Sequence, residues 1–86
     1  MKTLIIAVLF STMLFMQTSI AAEMPPNDAK PLSELVRALE EKGYSPFVDI
    51  EFEDGKWEIE VYKEGVKREL IVDPVSGKIV SDGKDD

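Results

Sequence analysis

The sequence predicts an α+β fold in which one N-terminal helix packs on a three- to four-stranded antiparallel meander sheet. Apolar residues repeat at helical spacing after residue 31, and at every second position from residue 48 onward. Turn signals that contain glycine separate the alternating runs. The 86 residues suffice for one domain. We divide the chain into a signal peptide at residues 1–22, a flexible lead at 23–30, a domain at 31–81 and an acidic tail at 82–86.

The N-terminal segment has the pattern of a secretory signal peptide. Lys2 precedes an apolar stretch from Leu4 to Met16, and small residues suited to a signal peptidase follow. Cleavage after Ala21 and cleavage after Ala22 both fit this pattern. An uncleaved membrane anchor is the alternative, but the stretch falls short of the roughly 20 residues that a spanning helix needs. We therefore expect a secreted protein, periplasmic in a Gram-negative bacterium, that has no membrane contact after cleavage.

The mature chain is strongly acidic. Without residues 1–22 it keeps 9 basic and 17 acidic side chains, so its formal charge is −8. This charge disfavours nucleic acid and anionic lipid as partners and favours basic surfaces or cations. The sequence has no cysteine and no histidine, which removes disulfides and the usual thiol, imidazole and zinc chemistry. Because a core from about 64 residues is marginal, the fold needs strong local signals, a partner or weak self-association.

The helix is predicted from four apolar residues spaced i, i+3, i+4 and i+7, namely Leu32, Leu35, Val36 and Leu39. Pro31 suits the first turn, and either Lys30 or Ser33 fits as the N-cap. Gly43 is expected to end the helix in a left-handed conformation. Tyr44 then follows at the position that packs back on the last helical turn.

A first hairpin is predicted around Asp54-Gly55. This dipeptide separates two runs of alternating apolar and polar residues, which is a strong signal for a two-residue turn. The turn sets a register in which every apolar residue meets an apolar partner: Phe52 with Trp57, Ile50 with Ile59 and Val48 with Val61.

A second hairpin is predicted around Glu64-Gly65. Its register places Leu70 beside Ile59 and Val72 beside Trp57. Arg68 is the exception among the inward positions. We expect its stem to cover apolar surface near the sheet margin while its charge reaches water.

The segment DPVSG after the third strand holds an acid and a hydroxyl, which suggests either catalysis or a turn. Asp73 can accept backbone N–H bonds, Pro74 presets φ, and Gly77 supplies left-handed geometry before a short last strand, Lys78 to Ser81. A nucleophilic Ser76 would need a base, and the chain has no histidine. We interpret the segment as a turn, and we expect a non-enzymatic protein without catalytic residues, metal or cofactor.

The ordered set of these features resembles the PepSY domain. The set consists of a helix that ends in Gly43-Tyr44, an acidic alternating strand, Trp57-Glu58-Ile59-Glu60-Val61, a turn at Gly65, and Val72-Asp73-Pro74 with Gly77. The resemblance covers about Leu32 to Val80. It implies an exported, non-catalytic domain with a helix on one face of an antiparallel sheet.

PepSY domains occur in the propeptides of thermolysin-like metallopeptidases, where an inhibitory role has been proposed, and also as stand-alone secreted proteins and in membrane proteins. The resemblance therefore implies a protein-binding module that inhibits or modulates a peptidase. It also implies architectural roles for Gly43, Tyr44, Trp57, Glu60, Asp73, Pro74 and Gly77. This sequence departs from the family pattern because it has no attached peptidase and carries Arg68 at an inward position.

The predicted sheet face opposite the helix carries like charges. Five carboxylates lie on it, those of Asp49, Glu51, Glu58, Glu60 and Glu69. Three of them align across three strands, and Glu51 lies opposite Glu58, although facing like charges destabilise a sheet. We predict that these residues bind a basic patch on a peptidase or other envelope protein. The alternatives are cation binding, as in an envelope-stress accessory protein, and a solvated face relieved by Lys56 and Lys67.

The first strand, Phe47 to Glu53, and the last strand, Lys78 to Ser81, are the candidates for sheet edges. An exposed edge can accept an extended peptide by strand addition. Charged residues on the same strands can also discourage such pairing, so the sequence leaves both readings open.

Overall fold

The computed structural model describes residues 23–85. The predicted signal peptide lies outside the described residues, as does Asp86. The elements are α1 (Leu32–Glu41), β1 (Tyr44–Glu53), β2 (Lys56–Lys63), β3 (Val66–Val72) and β4 (Ile79–Lys84). The strands form one antiparallel sheet in the order β1-β2-β3-β4. The predicted fold, one helix on an antiparallel meander, is confirmed with four strands.

The core lies between α1 and one face of the sheet. Its buried members are Leu35, Leu39, Tyr44, Ile59, Val61, Leu70 and Val72. The four from β2 and β3 are fully buried, and each such side chain contributes roughly 1.5–3 kcal/mol relative to an exposed one. Phe52 and Trp57 extend this core toward the first turn, with ring centroids 5.0 Å apart in an edge-to-face arrangement.

The N-terminus of α1 differs from the prediction. Neither Lys30 nor Ser33 caps the helix, because Pro31 occupies the N-cap position and no side chain makes a capping hydrogen bond. The carbonyl oxygen of Pro31 accepts hydrogen bonds from the N–H groups of Glu34 and Leu35. Proline fits there because its backbone φ of −56° and ψ of 136° are extended, as an N-cap requires.

The C-terminus of α1 is as predicted. Gly43 has φ +94°, a conformation that residues with a side chain rarely adopt. Its N–H donates to the carbonyl oxygen of Glu40 at 2.9 Å, which satisfies one of the free carbonyls of the last turn. Tyr44 and Leu39 then meet in the core cluster.

Both predicted two-residue hairpins are present, with one correction of register. Phe52 pairs with Trp57 and Ile50 with Ile59 as predicted, but the partner of Val61 is Phe47 and not Val48. A register shift between Phe47 and Asp49 adds one residue to β1, and one extra residue reverses the inward and outward alternation. Val48 is accordingly 52% exposed.

The two hairpin turns have the backbone that the sequence predicts. Asp54 and Gly55 have φ of 53° and 76°, and Glu64 and Gly65 have φ of 51° and 77°. Positive φ at both central residues defines a type I′ turn, whose twist matches that of paired strands. The register from β2 to β3 then pairs Ile59 with Leu70, as expected.

The last strand is longer than predicted, since β4 extends beyond Ser81 to Lys84. Asp82 therefore lies in the sheet, where its carboxylate accepts hydrogen bonds from Arg68 Nε and, at 2.7 Å, from the Tyr44 hydroxyl. The Arg68 side chain remains 28% exposed, in agreement with the expectation that its charge reaches water, but that charge also pairs with Asp82, which was not expected.

The lead before α1 is tied to the sheet at two points. The N–H of Lys30 donates to the carbonyl oxygen of Pro74 at 2.8 Å, next to the β3–β4 turn. Near the other end, a carboxylate oxygen of Glu23 accepts a hydrogen bond from the N–H of Asp54 at 2.6 Å. The lead thus bridges the β1–β2 turn and the β3–β4 turn, which lie at the same end of the strands.

Within residues 23–85, no helix has the length and apolar character to cross a membrane.

Candidate functional site

The sheet face opposite α1 brings the five predicted carboxylates together. Asp49 pairs with Glu60, and Glu60 pairs with Glu69, so these three residues form a row across β1, β2 and β3. Glu51 pairs with Glu58 in the neighbouring row. Strand alternation directs all five away from the buried face, and each is exposed or half-exposed. The predicted register of this face is thus observed.

Glu53 joins this face and was missed from the sequence. The side chains of Glu51, Glu53 and Glu58 each place a carboxylate oxygen within 4.8 Å of the other two. The sequence contained a signal for it, because Glu53 lies two residues after Glu51 and therefore on the same side of β1. We call the six residues Asp49, Glu51, Glu53, Glu58, Glu60 and Glu69 the acidic face.

The neighbouring carboxylates of the acidic face act on the ionisation of Glu58. A hydrogen bond with the side chain of Glu53 raises the pKa of Glu58, and partial burial and the charges of Glu53, Glu69 and Glu51 raise it further. The shift means that the protonated form of Glu58 is favoured over the charged form by its neighbours. A cationic group placed here would reduce that penalty, because its positive charge offsets the repulsion between the carboxylates.

Lysine relieves only one part of the acidic face. Lys67 Nζ lies 3.7 Å from a carboxylate oxygen of Glu60 and 3.7 Å from one of Asp85. The charge of Glu60, followed by that of Asp85, raises the pKa of Lys67. The relief predicted from Lys67 is therefore present. Among residues 23–85, no ion pair joins Lys56 to the acidic face or neutralises Glu51, Glu53 or Glu58.

The DPVSG segment forms the predicted turn. The Asp73 carboxylate accepts hydrogen bonds from the N–H groups of Val75 and Ser76, each at 2.9 Å. These bonds, first that from Ser76 and then that from Val75, lower the pKa of Asp73. The Ser76 hydroxyl oxygen accepts from the N–H of Lys78 at 3.2 Å. Both side chains that suggested catalysis thus hold the backbone of the turn.

The other residues singled out from the sequence lie on the core side or in turns. Tyr44 is buried, Trp57 packs its ring against Phe52, and Pro74 is buried in the turn. A Cβ on Gly77 would lie 3.0 Å from the side chain of Leu35. These residues lie away from the acidic face. Of the positions that the resemblance marks as architectural, only Glu60 belongs to that face.

Asp82 was not identified from the sequence, although its carboxylate accepts hydrogen bonds from both Tyr44 and Arg68 on the other side of the sheet. Burial, the largest single influence, raises its pKa, but the hydrogen bonds from Arg68 and Tyr44 outweigh burial and lower it. Burial and the bond to Asp82 raise the pKa of Tyr44. The inward Arg68 was the available signal, because a half-buried guanidinium requires a carboxylate partner.

Comparison with known proteins agrees with the fold. The model of the peptidase propeptide and YPEB domain family matches residues 1–83. No curated protein and no solved structure matches the chain significantly. The family match covers nearly the whole sequence, and it includes α1 and most of the four-stranded sheet. The chain therefore belongs to the PepSY family of peptidase propeptide and YPEB domains.

Proposed function

We propose that this protein is an exported, non-enzymatic protein-binding module that inhibits or modulates a peptidase of the bacterial envelope. In a Gram-negative bacterium the module acts in the periplasm, and in other bacteria it acts outside the cell. The family is that of peptidase propeptide domains, which supports a propeptide-like or inhibitor-like role. The acidic face is the proposed contact surface, and a basic patch on the peptidase is its proposed complement.

The observation that carries this proposal is the cluster of Glu51, Glu53 and Glu58. Three carboxylates whose oxygens lie within 4.8 Å of one another repel each other. Within the described residues no lysine or arginine forms an ion pair with them. Folding alone does not favour such an arrangement, whereas binding to a basic surface does, because complementary charge steers encounter and selects partners.

A capture experiment tests the proposal. The immobilised protein is exposed to envelope and secreted proteins of its source organism, and the retained peptidases are assayed for altered activity. In the face variant, Glu51, Glu53 and Glu58 are each changed to Gln. In the matched control, the exposed helix residues Glu34, Glu40 and Glu41 are each changed to Gln, which alters the net charge equally on another surface.

If the proposal is correct, a peptidase binds to the wild type and to the matched control with the helix substitutions. The same peptidase does not bind to the face variant. Equal loss from both variants would indicate binding by net charge alone and would contradict a specific face. Retention of no peptidase by the wild type would contradict the function itself. A sequence-reversed acidic peptide serves as a further control for charge-driven capture.

A second candidate function is cation binding, which the same cluster supports. Hard divalent cations such as Ca²⁺ prefer several carboxylate oxygens, and Glu51, Glu53 and Glu58 bring three together. If this is the function, CaCl₂ at constant ionic strength raises the Tm of the wild type and leaves that of the face variant unchanged. An equal increase in the Tm of the wild type and of the face variant, or no increase in the wild type, would contradict a cation site.

A further inference from the structure

Strand β1 forms one border of the sheet. It pairs with β2 alone, and β4 forms the opposite border. From Asp49 to Glu53 the pairing of β1 with β2 is continuous, and both register shifts lie before Asp49. This stretch is therefore a regular edge of five residues, and a regular edge is a template for a further strand.

The hairpin turn indicates which backbone groups point to the free side of β1. In a two-residue turn the flanking residues, here Glu53 and Lys56, share the closing hydrogen bond. Bonded and non-bonded pairs then alternate along an antiparallel ladder. Consequently the N–H and C=O groups of Glu51 point to β2, whereas those of Ile50 and Phe52 point outward to the free edge.

The side chains at this edge are also incompletely covered. Ile50 and Phe52 face the core side and are only half-buried. Ile50 packs against the core cluster, and Phe52 packs edge-to-face against Trp57. Asp49, Glu51 and Glu53 face the other side and are exposed. The edge thus offers apolar surface on one side and negative charge on the other, in strict alternation.

The opposite edge has features that discourage pairing. Strand β4 has six residues and a register shift between the partners of Ile71 and Val72. Lys84 lies in β4, and charged lysines and irregular register are common protections of an edge. Asp82 is already engaged by Tyr44 and Arg68.

We propose that the β1 edge between Asp49 and Glu53 binds an extended segment of a partner protein by antiparallel strand addition. The segment has alternating basic and apolar residues. Its basic side chains lie beside the carboxylates of β1, and its apolar side chains cover Ile50 and Phe52. This inference rests on the proposed protein-binding function and specifies its mode. A second copy of the chain is a poor occupant, because pairing two β1 edges would oppose their carboxylates and the mature chain carries a charge of −8.

The test uses a seven-residue peptide of alternating Lys and Val, acetylated and amidated, and the ¹⁵N-labelled full mature chain. Hydrogen exchange is measured at the backbone N–H groups of Ile50 and Phe52, which are free in the unbound protein. When about nine-tenths of the protein is occupied, exchange at both groups should slow about tenfold, since only the unbound fraction exchanges. The N–H of Glu51 should change little because it already pairs with β2.

Two N-methylated peptides provide matched controls with unchanged charge. In an antiparallel addition the valine N–H groups face β1 and the lysine N–H groups face solvent. Methylation of the valine nitrogens should abolish the protection of Ile50 and Phe52, and methylation of the lysine nitrogens should preserve it. This contrast separates strand addition from simple charge attraction.

Three further outcomes would overturn the inference. Equal binding of both methylated peptides without protection of Ile50 and Phe52 would place the peptide on the acidic face alone, which leaves the proposed function intact. No binding would exclude this edge as the site. Protection that appears without peptide and grows with protein concentration would identify a second copy as the occupant. Protection by the peptide with no captured peptidase would instead retain the edge site and contradict the peptidase role.

Discussion

Arg68 on β3 and Asp82 on β4 form an ion pair at an inward position of the sheet, and the hydroxyl of Tyr44 donates to the same carboxylate. Together with Tyr44, this ion pair joins three parts of the chain that are distant in sequence. Tyr44 begins β1 at the end of the helix, whereas Asp82 lies in the last strand. One carboxylate therefore connects the first and last strands across the core side of the sheet.

We predict that Asp82→Asn lowers the Tm and loosens β4. The substitution leaves the half-buried guanidinium of Arg68 without a charged acceptor, and a half-buried charge without a partner destabilises the folded state. Thermal unfolding is followed by the fluorescence of Trp57, the single tryptophan of the chain. Asp28→Asn, which removes an equal charge from an exposed residue of the lead, is the control. Equal Tm values for the two variants would contradict a structural role for the Arg68–Asp82 pair.

We predict that the free energy of unfolding is greatest at mildly acidic pH. The pKa of Glu58 is raised above its ordinary value of 4.5, so its stabilising contribution is complete below that value and is lost as pH rises through the folded pKa. The pKa values of Asp73 and Asp82 are lowered from 3.8. Their contributions are present above 3.8 and are lost as pH falls through the folded pKa values.

Urea unfolding between pH 3 and pH 8 measures this profile. Stability should rise as pH decreases from neutral toward 4.5 and fall below 3.8. Glu58→Gln should flatten the branch above 4.5, because the residue that binds the proton is gone, and should keep the acid branch. A wild-type stability that stays constant, or that decreases, as pH falls from 7 to 4.5 would show that the acidic face is not strained.

We predict that Gly77→Ala destabilises the protein more than Gly65→Ala. Both glycines have positive φ, +76° and +77°, so a side chain at either position costs about 1–2 kcal/mol for the backbone alone. At Gly77 the new Cβ would also lie 3.0 Å from Leu35 of the helix, whereas nothing lies within 4 Å at Gly65. Forcing a core side chain aside costs a further 1–3 kcal/mol or so. Denaturant unfolding measures both changes. Equal losses of unfolding free energy in the two variants would mean that the Leu35 side chain moves aside without a measurable loss of stability.

We predict that Glu64→Asn stabilises the protein. Glu64 has φ +51° in a type I′ turn, and asparagine tolerates this left-handed conformation better than glutamate does. The gain should be about 0.5–1 kcal/mol, which corresponds to a Tm increase of several degrees in a domain of this size. Val75→Asn, a change at an exposed residue of the β3–β4 turn that does not have positive φ, controls for a general effect of asparagine in a turn. A decrease in Tm on Glu64→Asn would contradict the assigned backbone strain.

The sequence by itself determined the elements and most of their pairing. Helical spacing placed Leu35 and Leu39 on the buried face, and two-residue turns defined the register that brings Asp49, Glu60 and Glu69 into one row. These predictions succeed because spacing within an element and the length of a tight turn are local properties.

Only the tertiary structure decided the features that depend on residues far apart in the chain. The shift in β1 places Phe47, and not Val48, opposite Val61 and against the core cluster, most of whose members come from α1, β2 and β3. Asp82 acquires its role because β4 continues past Ser81 beside Arg68, and no local pattern near residue 82 reports a guanidinium 14 positions earlier. Likewise, spacing along β1 places Glu53 on the acidic face, but only the structure brings its carboxylate within 4.8 Å of that of Glu58, diagonally across two strands.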